Sequence, residues 1–408
     1  MEKDEFYKDA RADVTGPLHG VRVLDVTTTW AGPMAGCVLG DLGADVIKVE
    51  IPGGEVLRAA PPTLPGTADR KLGFETVNRN KRAISLDLRQ SEGRELFLEL
   101  AKTADMVVQN FLPGTFDRWG VGYEGVKAVK PDIIYVSISG WGQFGDQHAQ
   151  AGYDPIALAT SGWMSLNGPR DGVPNKAPTY LADDLAGVHA ALGAVAALRY
   201  RDQTGEGQHV DSSLLDATLF QSNGLLTYGA LGGDLERWGN EVAVCAPTNV
   251  FEAADGYVFI ALILDPHWVN LCRVVERPEA GTAPHLATNE RRCENRDEVN
   301  GIVSAWTVTR SSAEVVEILR EAGIAAAKVQ SFGEAANMAH VWDRDALQPT
   351  ELADGSTVPL TGPPVKFSRT PTSVRMRAPE VGEHNAEVYA DIGLDAGRLA
   401  ELTRRGII

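Results

Sequence analysis

From Val21 onward the chain alternates short apolar runs with stretches of helical period. Val21–Val26 reads as a strand, Ala31-Gly32-Pro33 as a turn, Met34–Leu42 as a helix and Ala44–Glu50 as a second strand. A strand–helix–strand unit of about thirty residues implies a parallel pair joined by a right-handed crossover. Ile51–Glu75, rich in Pro and Gly, predicts a long surface loop. Lys81–Leu88 predicts a third strand, and Ser91–Ala104 a helix with Leu96, Leu98, Leu100 and Ala101 apolar. Residues 105–109 and 133–138 add buried strands around a turn at 110–114. This alternation predicts an α/β domain on a mostly parallel sheet, with ligands beyond the carboxyl ends of the strands. The glycine fingerprint of a dinucleotide site is absent, since Gly32 stands alone in the first turn.

The densest chemistry lies in Thr179–His189, Thr-Tyr-Leu-Ala-Asp-Asp-Leu-Ala-Gly-Val-His, which runs into the Ala-rich stretch 190–200. That composition predicts a buried or half-buried helix with Asp183 and Asp184 in its first turn, where the macrodipole favours negative charge. Two readings stay open at this point. One carboxylate can be an N-cap, or one can be a nucleophile with open backbone N–H groups beside it. Further on, Thr204–Gln208 is a turn and Val210–Phe220 a strand entering a helix. Tyr228–Asn240 is Gly-rich and polar and reads as a linker. Residues 250–261 predict a hairpin turning at Asp255-Gly256, and helical stretches follow to about residue 322. From Gly323 come short strands and Pro-rich loops, then a last helix near 382–392. No internal repeat is present.

Composition narrows the function classes. At 408 residues with 44% hydrophobic and 23% charged side chains, the chain is an ordinary globular sequence of two-domain size. A net charge of −17 excludes nonspecific nucleic-acid binding and docking on anionic membrane. An anionic ligand would therefore need a local basic pocket. The polar start Met-Glu-Lys-Asp-Glu has no secretory apolar core, and no uninterrupted apolar run reaches membrane-spanning length. The four scattered cysteines (Cys37, Cys245, Cys272, Cys293) show no metal or disulfide spacing, so reduced thiols, no metal site and a cytoplasmic location are expected.

Several ordered segments together resemble the class III CoA-transferase family, which includes formyl-CoA and carnitine CoA-transferases and 2-methylacyl-CoA racemases. They are Pro17–Asp25 with Ala31-Gly32-Pro33, Leu42–Glu50, Asn80–Leu88, Asn110–Arg118, Thr204–Gln208, Ala378–His384 and Leu394-Asp395. The resemblance implies a large Rossmann-like domain with a parallel sheet built from both chain ends, plus a smaller α+β domain. The expected division is 1–227 (large domain), 228–322 (small domain with linkers) and 323–408 (return to the large domain). It also implies an interlocked dimer, a homodimer or a heteromer with a similar chain. No cofactor is expected to be tightly bound: coenzyme A enters as a thioester substrate, beside a free carboxylic acid.

In the family's transferases the nucleophile is an Asp four positions before a Gly at a helix start, which selects Asp183, with Gly187 following, over Asp184. The same carry-over puts the adenine and 3′-phosphate end of CoA at Leu86, Asp87, Leu88 and Arg89. Asn110, Phe111 and Arg118 line the same site, with Arg89 and Arg118 as phosphate cations, and Ala31 permits close approach of CoA to the backbone. Tyr153 stands where the racemases carry a His. A tyrosine, with a reference pKa of about 10, is a poor α-proton base, so transferase is favoured over racemase, and Asp183 speaks against a non-catalytic subunit, which has no need of it. Three departures from formyl-CoA transferase stand out. Trp30 replaces a Gln and is expected to favour a larger or apolar acyl group, Ile51 replaces a CoA-contacting Arg, and Val242–Pro247 replaces a Gly-rich loop. His189 and His384 are expected to be structural.

Overall fold

The computed structural model describes residues 1–408, which form two compact units. The first comprises residues 1–163, 177–227 and 339–408, and the second residues 164–176 and 228–338. The second unit is thus discontinuous: it takes in 164–176 and extends to 338, beyond the 228–322 expected.

The first unit is built on a six-stranded sheet, β1 (Arg22–Val26), β2 (Asp45–Glu50), β3 (Lys81–Ser85), β4 (Met106–Gln109), β5 (Ile134–Ser139) and β6 (Gln208–Ser213). The strand order is β3-β2-β1-β4-β5-β6, and every pairing is parallel. β4 and β5 are buried at every position, as strands covered on both faces must be. The order reverses direction between β1 and β4, the topological switch point where doubly wound sheets bind ligands. The sheet itself comes from residues 22–213, while the C-terminal segment covers it. There the Asn385–Ala390 and Ala396–Arg404 helices pack Val388, Tyr389 and Leu402 into the same core. Tyr389 Oη donates to Ser85 O (2.8 Å), and Asp87 N to Ile407 O (2.8 Å). The Ala396–Arg404 helix was not expected from the sequence.

Residues 31–33 open the helix Ala31–Asp41 rather than forming a separate turn. This helix lies against β1 at glycine distance. A Cβ on Gly32 would sit 2.5 Å from Thr27 Cβ, and one on Gly36 would run into the Asp25 carboxylate. Beneath it Asp25 and Lys81, both fully buried, pair at 2.6 Å, and Lys81 Nζ also donates to Pro33 O (2.8 Å) and Asn78 Oδ1 (3.0 Å). These bonds offset part of the cost of burying the ammonium, and burial still lowers the Lys81 pKa. Residues 51–75 are not wholly a surface loop. Their Val56–Arg58 turn and the Leu72–Asn78 helix bury Phe74 and Glu75, and the Glu50–Arg58 pair (2.6 Å) pins the segment to β2.

The longest helix, Leu181–Thr204, packs on the Ala31–Asp41 helix, on β5 and β6, and on the Leu214–Phe220 helix. By length and composition it could cross a membrane (mean hydropathy 1.4), although the sequence shows no uninterrupted apolar run. Here its apolar residues serve packing: Ala182, Ala186, Gly187, Ala190, Ala191, Ala194 and Ala197 are all buried. The small side chains admit close neighbours. A Cβ on Gly187 would lie 2.7 Å from Ala31 O and 3.0 Å from Met34 Cβ.

The second unit folds around the sheet β7 (Thr248–Ala253), β8 (Gly256–Ala261) and β9 (Ala325–Lys328), antiparallel throughout, with the hairpin turning at Ala254-Asp255. The Asp265–Val274, Arg296–Thr307 and Ser312–Glu321 helices bury Trp268, Leu271, Val303 and Val315 against it.

Gly187→Val forces the two helices of the first unit apart. The expected loss is about 1–3 kcal/mol of stability, read as a lowered midpoint in thermal or urea unfolding. An unchanged midpoint would mean that the close approach is not needed.

Candidate active site

β1 ends at Val26 opposite Gln109, the last residue of β4, and the loops that follow leave the sheet in opposite directions. Asn110 clamps them together: its amide donates to Thr28 O (2.7 Å) and its Oδ1 accepts from Thr28 N (3.0 Å). Glu55 braces the same loop from the other side, accepting from Thr28 Oγ1 (3.0 Å) and Thr29 N (3.0 Å). Its second oxygen lies 3.4 Å from the buried Lys48 ammonium. These bonds hold Thr29 at φ 66°, a left-handed conformation unusual for a β-branched residue.

Two clefts open at this switch point and share Thr28 and Phe111 as a common wall. The first, about 290 Å³, is lined by Leu86, Asp87, Leu88 and Arg89 with Ile51, Glu55 and Trp119. The Arg89 guanidinium is two-thirds exposed and forks onto Asp87 (2.8 and 2.9 Å), whose carboxyl it holds down at about 2. The second, about 480 Å³, is lined by Trp30, Ala31, Asn110, Tyr153, Asp154, Tyr180 and Asp183. The structure thus brings every expected site residue to one of the two clefts except Arg118. Its exposed guanidinium turns back to Thr115 Oγ1 (3.1 Å) and faces neither.

Neither acid of the pair caps the long helix. Tyr180 is its N-cap residue and offers no side-chain bond. The cap comes instead from Asp154, buried at the start of the Asp154–Thr160 helix, whose Oδ1 accepts from Ala182 N (2.7 Å). The Leu181 and Asp183 N–H groups remain open, as first-turn donors do when no residue claims them. Asp184 accepts from Trp30 Nε1 (2.6 Å), and the Trp30 ring packs against Tyr180 in a tilted contact, 4.9 Å between centroids. The carboxylate of Asp183 accepts no hydrogen bond and lines the larger cleft. Burial raises its pKa to about 7, with the Asp154 and Asp184 charges adding to the rise. Asp184 is raised by burial too, but the Trp30 indole N–H opposes the shift.

Asp154, Glu55 and Tyr180 were not singled out in the sequence. The Asp154-Pro155 dipeptide is a helix-start signal, but its reach to a second helix is a tertiary fact. Glu55 sits in a Gly-rich segment with no local signature. His189 is structural, with Nδ1 on Leu185 O (2.8 Å) and its ring edge-on to Phe220. His384 Nδ1 accepts from Ala83 N (3.1 Å), which ties the C-terminal segment to β3.

Residues 18–385 match the model of CoA-transferase family III. The chain belongs to that family. Succinyl-CoA:mesaconate CoA-transferase of Haloarcula hispanica is 37% identical over 391 residues, 94% of this chain and 98% of that one. Succinyl-CoA–D-citramalate CoA-transferase of Chloroflexus aurantiacus is 34% identical over 397 residues, 96% of this chain and 98% of that one. Among solved structures, a CaiB/BaiF family protein from Brucella suis superposes with a TM-score of 0.85 at 32% identity, covering 93% of this chain and all of that one. The family III CoA-transferase described here is an enzyme of CoA transfer, with CoA thioesters as its substrates.

The raised Asp183 pKa has a stability consequence. The unfolded carboxyl titrates near 3.8 and the folded one near 7, so folded protein binds the extra proton between these values. Stability therefore falls as pH rises from about 4 to about 7. Asp183→Asn removes that penalty: its unfolding temperature should exceed the wild-type value at pH 8 by about 2 °C or more, and the difference should vanish at pH 4. An equal difference at both pH values would contradict the shift.

Proposed function

We propose that this family III CoA-transferase moves CoA from succinyl-CoA or a similar dicarboxylic thioester to a second carboxylic acid, with Asp183 as the nucleophile. The observation that carries this reading is the contrast within the acid pair. Asp184 is committed to the Trp30 indole, whereas Asp183 faces the cleft with no hydrogen-bond partner. A poorly solvated carboxylate with a pKa near 7 is a stronger nucleophile than an ordinary aspartate and is still half ionised at neutrality.

In the first step an Asp183 oxygen bonds to the thioester carbonyl carbon and the C–S bond breaks, giving a mixed aspartyl anhydride and CoA thiolate. The thiolate then attacks the Asp183 carbonyl carbon, expelling the donor as a free carboxylate and leaving an aspartyl-CoA thioester. The acceptor carboxylate attacks that carbonyl, forming a second anhydride and releasing the thiolate again. Attack of the thiolate on the acceptor carbonyl yields the new thioester and restores the Asp183 carboxylate. Each tetrahedral oxyanion needs donors, and the open Leu181 and Asp183 N–H groups at the helix start are the available ones, each worth roughly 3 kcal/mol in such a role.

The CoA body would run from the Leu86–Arg89 cleft past Thr28 and Phe111 to Asp183, since the two clefts share those residues. Arg89, exposed and only partly neutralised by Asp87, would meet a CoA phosphate. The succinyl assignment draws on the names of both relatives, and the cleft of about 480 Å³ lined by Trp30 and Tyr180 is large enough for an acyl group larger than formyl. Tyr153, two-thirds exposed at the mouth, would be a lining residue rather than a base. A homodimer is the proposed assembly, supported by Val188 and Leu192 exposed one turn apart on the long helix.

With succinyl-CoA and a panel of acids, kcat/KM should rise through about pH 7 as Asp183 ionises. Asp183→Asn should lose about 10⁴-fold or more in kcat, while Asp184→Asn keeps measurable turnover. Equal loss in both variants, or a rate independent of pH from 5 to 9, would remove Asp183 from the role.

A further inference from the structure

A third cleft, about 540 Å³, lies wholly inside the second unit and shares no residue with the two clefts of the first. Its walls include Asn167, Arg170, Asn175, Trp238, Asn240 and Glu241. The 167–175 loop is a built feature. Gly168 at φ 117° leaves no room for a Cβ, which would meet Val173 O at 2.9 Å. Asn175 N donates to Asn167 O (2.8 Å), and the Asn167 amide returns to Asn175 O (2.8 Å). Arg237 clamps the loop from outside, donating to Ser165 O (3.0 Å), Pro169 O (3.2 Å) and Gly172 O.

On this loop Arg170 lies over the Trp238 ring, 4.6 Å from its centroid, with Arg296 at 5.1 Å from the same ring. Stacking uses the face of a guanidinium and leaves its in-plane N–H donors free for a planar, two-oxygen acceptor. Arg170 makes no ion pair and no side-chain hydrogen bond. Arg237 and Arg296 spend their donors on backbone carbonyls: Arg296 holds Val242 O, Ala243 O and Cys245 O. The one carboxylate of the cleft, Glu241, accepts from Asn300 (2.6 Å) and stands 4.0 Å from Arg296. Of the two charged residues that line the cleft, Glu241 is thus engaged from outside it, which leaves Arg170 as the one without a partner. Held over Trp238 at the cleft wall, that guanidinium is the group a ligand carboxylate entering the cleft would meet.

We propose that this cleft binds a small carboxylic acid, with Arg170 gripping one carboxylate bidentately and Trp238 holding the guanidinium flat. The site is independent of the proposed role of Asp183, because its occupancy requires no covalent chemistry.

The test uses full-length protein labelled with ¹⁵N-tryptophan, with the Trp238 indole signal assigned by its loss in Trp238→Phe. Succinate should move that signal saturably. In Arg170→Gln, which alters an exposed side chain, the midpoint should rise about tenfold or more, and in Asp183→Asn it should not change. Raising the ionic strength should weaken binding in the wild type. Inorganic phosphate is the second probe, and saturation at a lower concentration than succinate would overturn the carboxylate assignment in favour of a phosphate site. A Trp238 signal that succinate leaves in place, or moves equally in wild type and Arg170→Gln, would overturn the site itself.

Discussion

The structure depends on one close approach. The Ala31–Asp41 helix is pressed onto β1 through Gly32 and Gly36, and the long helix is pressed onto it in turn through Gly187. At these three positions a methyl group would meet backbone or β-carbon atoms at 3 Å or less, or the buried Asp25 carboxylate. The stack sets the height of the long helix's first turn above the switch point between β1 and β4. Asp183, one helical turn before Gly187, is thereby held over the crevice that the strand order creates. The spacing of acid and glycine is thus a distance requirement: glycine makes the contact, and the acid four residues earlier is delivered to the cleft.

The electrostatics follow from that placement. A lone carboxylate beside open N–H groups would ordinarily be a stabilised anion. Here Asp154 takes the Ala182 N–H, Trp30 satisfies Asp184, and Asp183 is left with burial and two like charges. Its charge is destabilised in the resting protein, and in the proposed mechanism that cost is relieved when the oxygen enters the anhydride. The cost to stability sits at the point where reactivity is needed.

Much of the scaffold was legible because parallel strands buried on both faces read as continuous apolar runs. β1, β2, β4 and β5 fell within one or two residues of expectation. The acid pair was legible from its place before an Ala-rich run, and the choice of Asp183 rested on the family resemblance. What stayed hidden was tertiary. The cap from Asp154 crosses 28 residues, and Glu55 reaches the β1 loop from a Gly-rich segment that carries no periodic signal. Residues 164–176 join the second unit through Arg237, a contact that no local pattern announces. Trp30 was expected to shape the acyl pocket. It does line the cleft, but its indole N–H is committed to Asp184, so its first effect is to set the two acids apart. Arg118 was carried over as a phosphate cation and lies away from both clefts, where only side-chain direction could have placed it.

The central claim is that Asp183 reacts covalently, first as an anhydride with the donor acyl group and then as a thioester with CoA. Intact-protein and peptide mass spectrometry after mixing with succinyl-CoA, quenched with hydroxylamine, tests it most directly. The account predicts a CoA-sized adduct on unquenched protein and a hydroxamate on the peptide bearing Asp183, both absent from Asp183→Ala. Turnover of succinyl-CoA with an acceptor acid, accompanied by no modification of that peptide or by a modification that persists in Asp183→Ala, would contradict it.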